Sequence, residues 1–181
     1  MDNKTKSTLY LNMIIGDFEN VDAIKRSLDS VKDYVDGIYI TVTYAKTPPK
    51  KNNPILKLLE KYKAHVSFFQ WVKNFATARN FAMSNVPIGP TNFIYWQDSD
   101  DILVNGEKLH SLADEMIELH ESALYFDYWY QVDIDETGKV REILVQHKRE
   151  RIIVHNNTWK WVGALHEILI EQRQENLVRH Y

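Results

Sequence analysis

Four short apolar runs, each followed by a segment whose apolar residues recur at helical spacing, restrict most of this chain to one kind of architecture. Leu9-Tyr10-Leu11-Asn12-Met13-Ile14-Ile15-Gly16 reads as a buried strand closed by a glycine, and Val21, Ile24, Leu28 and Val31 follow with charged residues between them. Ile38 to Thr43 is a second strand, rich in β-branched and aromatic residues. Asn53-Pro54 has the form of an N-cap followed by a first-turn proline, ahead of Ile55, Leu58, Leu59 and Tyr62. His65 to Phe69 is a short third strand, Asn74 to Ser84 a third helix, and Phe93-Ile94-Tyr95-Trp96 a fourth strand. Leu109, Leu112, Ala113, Met116 and Ile117 mark the fourth helix. This alternation predicts an α/β fold: a mostly parallel sheet with right-handed crossovers and helices on both faces.

The pattern then changes. Leu124, Phe126, Tyr128 and Tyr130 alternate with other residues, Asp135-Glu136-Thr137-Gly138-Lys139 forms a hairpin turn, and Val140 to Val145 returns as the partner strand. The C-terminal portion is therefore expected to be β-rich. No linker divides the two parts, so residues 1–181 read as one domain, with a ligand-binding half over 1–104 and a second half over 105–181.

The fourth strand runs directly into Gln97-Asp98-Ser99-Asp100-Asp101, three carboxylates within four positions. If the strand is parallel and buried, these acids stand just past its carboxyl end, where open α/β sheets bind ligands. Crowded carboxylates repel one another unless a cation holds them or water screens them. Oxygen-only ligands suit a hard divalent ion, Mg or Mn, shared with substrate phosphates. Taken alone, the bare motif fits a solvated acidic turn better than a metal site, because Asp favours turns and N-caps for local reasons.

Composition narrows the function classes. A hydrophobic fraction of 44% with 12% aromatics describes a globular chain, and a net charge of −3 argues against a nucleic-acid partner. The absence of cysteine excludes disulfides, thiolate metal sites and a cysteine nucleophile, and fits a reducing compartment. The polar start Met1-Asp2-Asn3-Lys4-Thr5-Lys6 lacks the apolar core of a signal peptide, and no apolar run approaches the ~20 residues of a membrane span. A cytoplasmic location is expected.

Four segments in order resemble glycosyltransferase family 2, a group with the Rossmann-like GT-A fold. They are Met13-Ile14-Ile15-Gly16, Asn74-Phe75-Ala76-Thr77-Ala78-Arg79-Asn80-Phe81-Ala82, Asp98-Ser99-Asp100-Asp101, and Trp159-Lys160-Trp161-Val162-Gly163-Ala164-Leu165-His166-Glu167. The resemblance implies transfer of a sugar, with inversion, from a UDP- or GDP-linked donor to a glycan, lipid or protein acceptor. It implies that Asp98, Asp100, Asp101 and His166 lie about a divalent metal. It further implies that Asp17, Glu19, Arg79, Asn80, Asp98 and His166 meet the donor, that Asp101 belongs to the catalytic set with Glu167, and that Glu167 faces the acceptor or acts as the base that deprotonates it. Two departures stand out. The second strand ends in Thr43-Tyr44-Ala45-Lys46-Thr47-Pro48-Pro49, with no acid to seat the base, and little chain follows His166-Glu167 where the family often continues, so the second half is expected either to be truncated or to belong to the N-terminal domain of a longer protein.

Each residue also has a plainer explanation. Arg79 suits a surface salt bridge, His166 a satisfied histidine at a strand edge, and Asp17 and Glu19 the acidic start of a helix. Asp127 and Asp133 compete for the role of base, although on an alternating strand either can face solvent. Most of Trp96, Trp129, Trp159 and Trp161 are expected in the core, with one or two lining the site. The run His147-Lys148-Arg149-Glu150-Arg151 reads as a solvated face whose arginines can alternatively meet phosphate. The rival function is a non-catalytic module that binds a sugar nucleotide or glycan. A nucleotidyl-transferring enzyme is disfavoured, because Gly16-Asp17-Phe18-Glu19 is acidic where a phosphate loop would be basic and Gly-rich.

Overall fold

The computed structural model describes residues 5–172. Its main body is a six-stranded sheet in the order β3-β2-β1-β4-β6-β5, formed by β1 (Thr8–Gly16), β2 (Gly37–Tyr44), β3 (His65–Gln70), β4 (Asn92–Trp96), β5 (Ala123–Ile134) and β6 (Val140–Val154). β1 pairs parallel with both β2 and β4, and β2 pairs parallel with β3; β6 joins antiparallel. The mostly parallel sheet and its β-rich C-terminal portion follow the expectation. The chain winds outward from β1 to β3 and then returns to the other side of β1 as β4. The order therefore reverses between β1 and β4, and this is the switch point at which such sheets leave a crevice.

Helices α1 (Val21–Val31), α2 (Pro54–Lys61) and α4 (Leu109–Leu119) cover one face, where Leu9, Leu11, Met13 and Ile15 of β1 pack with Ile24, Leu28, Leu59 and Leu109. α3 (Phe75–Ser84) lies on the other face. A short antiparallel pair, β7 (Trp159–Val162) and β8 (Ile168–Glu171), packs against it, with Trp96, Trp161, Met83 and Leu169 sharing the second core. Three of the starts are capped as their sequences require, since the Asn20, Asn53 and Asn74 side chains each accept a backbone N–H of the following turn.

β4 sets the site. Its alternation turns Phe93 and Tyr95 to the α1 face and Ile94 and Trp96 to the α3 face. Beyond the strand the alternation continues. Gln97 is fully buried, donates to Ser27 Oγ at 2.6 Å and accepts from Tyr95 Oη at 2.9 Å. Ser27 in turn donates to the Asp98 carbonyl at 3.2 Å, so α1 fixes the height of the acidic loop.

The second half differs from its sequence reading in extent. β6 does not stop at Val145 but continues to Val154, straight through the basic run, and β5 reaches Ile134. β4 covers only Ile152 to Val154 of β6, so the rest of the hairpin stands out as a two-stranded arm. Its register shifts four times. At the first shift Leu124 pairs with Ile152 and Tyr125 with Glu150, which leaves Arg151 as the extra residue of a bulge. Bulges re-aim side chains, and this one drives Arg151 inward to 4% exposure.

Candidate functional site

Two cavities meet at the acidic loop. The first, about 640 Å³, opens over the carboxyl ends of β1, β2 and β4 and is lined by Gly16, Phe18, Thr43, Trp71, Arg79 and Asp98 among others. The second, about 840 Å³, lies between the loop after Asp100, the start of α4 and the β5–β6 arm. Asp100 lines both.

The three acids have three different environments. Asp98 points to the α3 face and accepts from Arg79 Nη2 at 2.5 Å. Asp101 is held on both oxygens: Oδ1 accepts from Tyr128 Oη at 2.9 Å, and Oδ2 accepts from Arg151 Nη2 at 2.9 Å and from the Asp98 backbone N–H at 3.1 Å. The Asp100 carboxylate is exposed and has no hydrogen-bonding or ionic partner among the described residues.

Arg79 is buried to 7% exposure and carries two acids at once. Its Nε donates to Glu167 Oε1 at 2.7 Å while Nη2 holds Asp98, and the guanidinium carbon lies 5.0 Å from the ring centroids of both Trp96 and Trp161. Burial alone would lower the guanidinium's pKa, but Asp98 and Glu167 outweigh it and raise the value. The Arg151 guanidinium lies 4.1 Å from the same Trp96 ring.

For Asp98 the balance runs the other way. Burial pushes its carboxyl up, yet the charge and hydrogen bond of Arg79, helped by Arg151 and Arg149, hold it below the ordinary 3.8. Between that lowered folded value and the unfolded one, the unfolded chain binds the extra proton. The pair's stabilisation is therefore complete above the unfolded value and lost as pH falls through the folded one. Asp98→Asn is expected to be less stable than the wild type at pH 7, with the gap closing below about pH 4 in urea unfolding run at stepped pH. A gap independent of pH would remove the ion pair from the account.

Several predicted site residues sit elsewhere than expected. Glu19 lines the first cavity, but its oxygens accept from the Gly16 N–H at 2.6 Å and from the Ser99 hydroxyl, tying the end of β1 to the acidic loop. Asp17 does not line the cavity. Asn80, expected at the donor, lines neither cavity and acts as a clamp: its Nδ2 donates to the Trp161 carbonyl and its Oδ1 accepts the Trp161 N–H, both at 2.9 Å. His166 is exposed in the left-handed backbone region at φ 55° and lines neither cavity. Glu167 is committed to Arg79 and lines neither. Asp127 pairs with Lys148 on the exposed arm, and Asp133 is exposed.

Asp98, Asp100, Asp101 and His166 are thus not gathered as a ligand set, and no three His, Asp or Glu side chains among the described residues form a metal cage. One free carboxylate at a cleft is nonetheless sufficient for a cation that keeps several waters and takes its other ligands from phosphate oxygens. Asp100 has that chemistry.

Sequence reasoning missed the aromatic rim. Phe18 is 88% exposed at the mouth of the first cavity, facing a wall that includes Tyr44, Trp71 and Phe75. Trp71 and Phe75 hold each other edge-to-face at 4.8 Å. The signal was a lone aromatic inside an otherwise polar turn, between a strand-closing glycine and an N-cap asparagine.

Among known proteins, neither a family model nor a curated sequence matches this chain. Among solved structures it is similar to S. aureus TarS 1-349, at 20% identity and a TM-score of 0.44, over 65% of this chain and 34% of that one. The same TarS segment in complex with UDP-GlcNAc gives 20% identity and a TM-score of 0.44, over 65% and 33%. In complex with UDP it gives 16% identity and a TM-score of 0.39, over 65% and 34%. The chain spans about a third of the length of these structures.

Proposed function

We propose that the first cavity binds a nucleoside-diphosphate sugar and that the chain transfers the sugar to an acceptor hydroxyl presented from the second cavity. The observation that carries this reading is the cleft itself. It lies at the switch point over parallel strand ends, with an aromatic rim at one side and a free carboxylate at the other. Three of the four segments that resemble glycosyltransferase family 2 contribute to its lining, through Ile14 to Gly16, through Phe75 and Arg79, and through Asp98 to Asp100, and the fourth meets it only through the bond of Glu167 to Arg79.

Each residue then has a physical task. Phe18 and Trp71 offer ring faces to a nucleobase. Asp100 would hold Mg or Mn together with the diphosphate, and the cation supplies stabilisation of the charge that develops on the leaving phosphate. Arg79 is a positioning residue, keeping Asp98 at the rim of the cleft. Glu167 lines neither cavity, whereas Asp101 and the competing Asp127 both line the acceptor-side one; Asp127 is paired with Lys148 on the arm, and Asp101, beside the free Asp100, is our candidate to receive the acceptor proton.

Calorimetric titration of UDP and GDP, each with and without Mn, tests the donor site. One nucleotide should bind with metal-dependent affinity; a folded protein that binds neither would remove the donor assignment. A second reading has one observation in its favour, since Asp101 and Glu167 are both already paired with arginines. A chain that binds sugar nucleotides without turnover would look like this. Slow hydrolysis of the bound donor in the absence of acceptor separates the two, because a pure binding module leaves the donor intact.

A further inference from the structure

The second cavity is larger than the first and has a chemical gradient along it. At the end shared with the first cavity stand Asp100, Asp101 and Arg151. Away from the acids, one wall carries Ile102, Val104 and Leu112, and the arm contributes Val132, Ile134 and Val140. Three of these aliphatic side chains are kept in water at considerable cost, Ile102 at 59%, Val104 at 56% and Ile134 at 54% exposure. Single exposed apolar residues need no explanation, but several lining one cavity mark a binding surface.

The shape follows from the arm. From Tyr128, hydrogen-bonded to Asp101, to Ile134 near the turn, β5 advances roughly 20 Å at the usual rise per residue. The bulges at Tyr130 and beyond bend the strand, and the same lining set reaches Gly138 in the turn. The groove is therefore long: the arm lines it with Tyr128, Trp129 and Tyr130 nearer the acids and with Val132, Ile134 and Val140 beyond, while the other wall sets Ile102, Val104 and Leu112 beside Asn105 and Lys108. The aromatic part suits one sugar ring as a head group, but a glycan continued past it would set its hydroxyls against Val132, Ile134 and Val140, which offer no hydrogen-bonding side chain.

We propose that this groove is the acceptor site for an amphipathic molecule: a hydroxyl-bearing head placed at Asp100 and Asp101, and an extended aliphatic tail laid between the Ile102–Val104 loop and the β5–β6 arm. The acceptor role rests on the transferase reading above. The binding of the tail does not.

The test uses n-alkyl β-D-glucosides from methyl to decyl, below their micellar concentrations, titrated calorimetrically onto the whole chain. Burial of each methylene should tighten binding roughly three- to fourfold until the groove is filled. Val132→Ser/Ile134→Ser on the arm and Ile102→Ser on the opposite wall, all at solvent-accessible positions, should each flatten that series while leaving UDP binding unchanged. Affinity independent of chain length overturns the proposal, as does a slope that survives in both variants. Malto-oligosaccharides that tighten with length while alkyl chains do not would assign the groove to a glycan and overturn it too. Failure of UDP binding together with an intact alkyl series would sink the donor reading alone, so the two failures are distinguishable.

Discussion

Arg79→Met is expected to lower the unfolding free energy by about 3–5 kcal/mol, the range measured when one member of a buried ion pair is removed. The guanidinium serves two carboxylates, and neither has a comparable substitute. The burden falls unequally. The Asp98 side chain keeps 38% of its surface in water and can be hydrated when released, whereas Glu167 keeps 12% and is stranded beneath the hairpin. This inequality points to the lower end of the range, and for a chain of this length to a fall in Tm of roughly 6–12 °C. Adding Glu167→Gln to Arg79→Met should recover part of the loss, since a neutral amide costs less to bury than an unpaired carboxylate. Arg79→Lys should not rescue it, because a single ammonium cannot reproduce the two-way fork between two tryptophan rings. Urea unfolding of the set measures all three. A loss below about 1 kcal/mol would mean that the pair behaves as an exposed one.

The second large effect is expected from Asp100→Asn, and it is functional. With no partner and an exposed carboxylate, the side chain can be changed with stability held within about 0.5 kcal/mol. Metal-dependent UDP binding should nevertheless fall by at least the ~10–100-fold that even outer partners of a metal site command. Asp101→Asn should do the reverse. It removes the carboxylate partner of Arg151, which is 4% exposed and keeps only the Trp96 carbonyl among the described residues, so stability falls while nucleotide affinity changes little. Paired calorimetry and unfolding on the two variants reads both quantities. Equal effects of the two substitutions on nucleotide binding would dissolve the distinction drawn between these adjacent acids.

The strand–helix half of the fold was legible because buried parallel strands and amphipathic helices leave periodic signatures of their own, and the three asparagine caps sit where local chemistry puts them. The acids were legible as a group for the same reason: β4 ends abruptly in them. Their partners were not. Arg151 reaches Asp101 only because a bulge in β6 turns it inward, and a bulge has no signature in a run that reads as a charged, solvated face. His166 misled in the opposite sense. Apolar neighbours on both sides imitate a strand, yet the residue sits exposed in a left-handed turn between β7 and β8. The arm was read as ordinary strand because alternation reports which residues share a face, and says nothing about whether another layer covers it.

The Asn80 clamp has a consequence for how the β7–β8 hairpin can vary. Beside the Arg79–Glu167 ion pair and the packing of Trp161 and Leu169, α3 grips it through main-chain groups, the Trp161 N–H and carbonyl at Asn80 and the Ala164 carbonyl at the Phe75 N–H. Every residue of a hairpin offers those groups, whatever its side chain. These main-chain bonds therefore tolerate a change of side chain at the hairpin positions that make them, whereas Glu167 and Leu169 are held by their own side chains and are not free to vary. A swap as small as Asn80→Asp, by contrast, would set an oxygen against a carbonyl and open the joint from the other side.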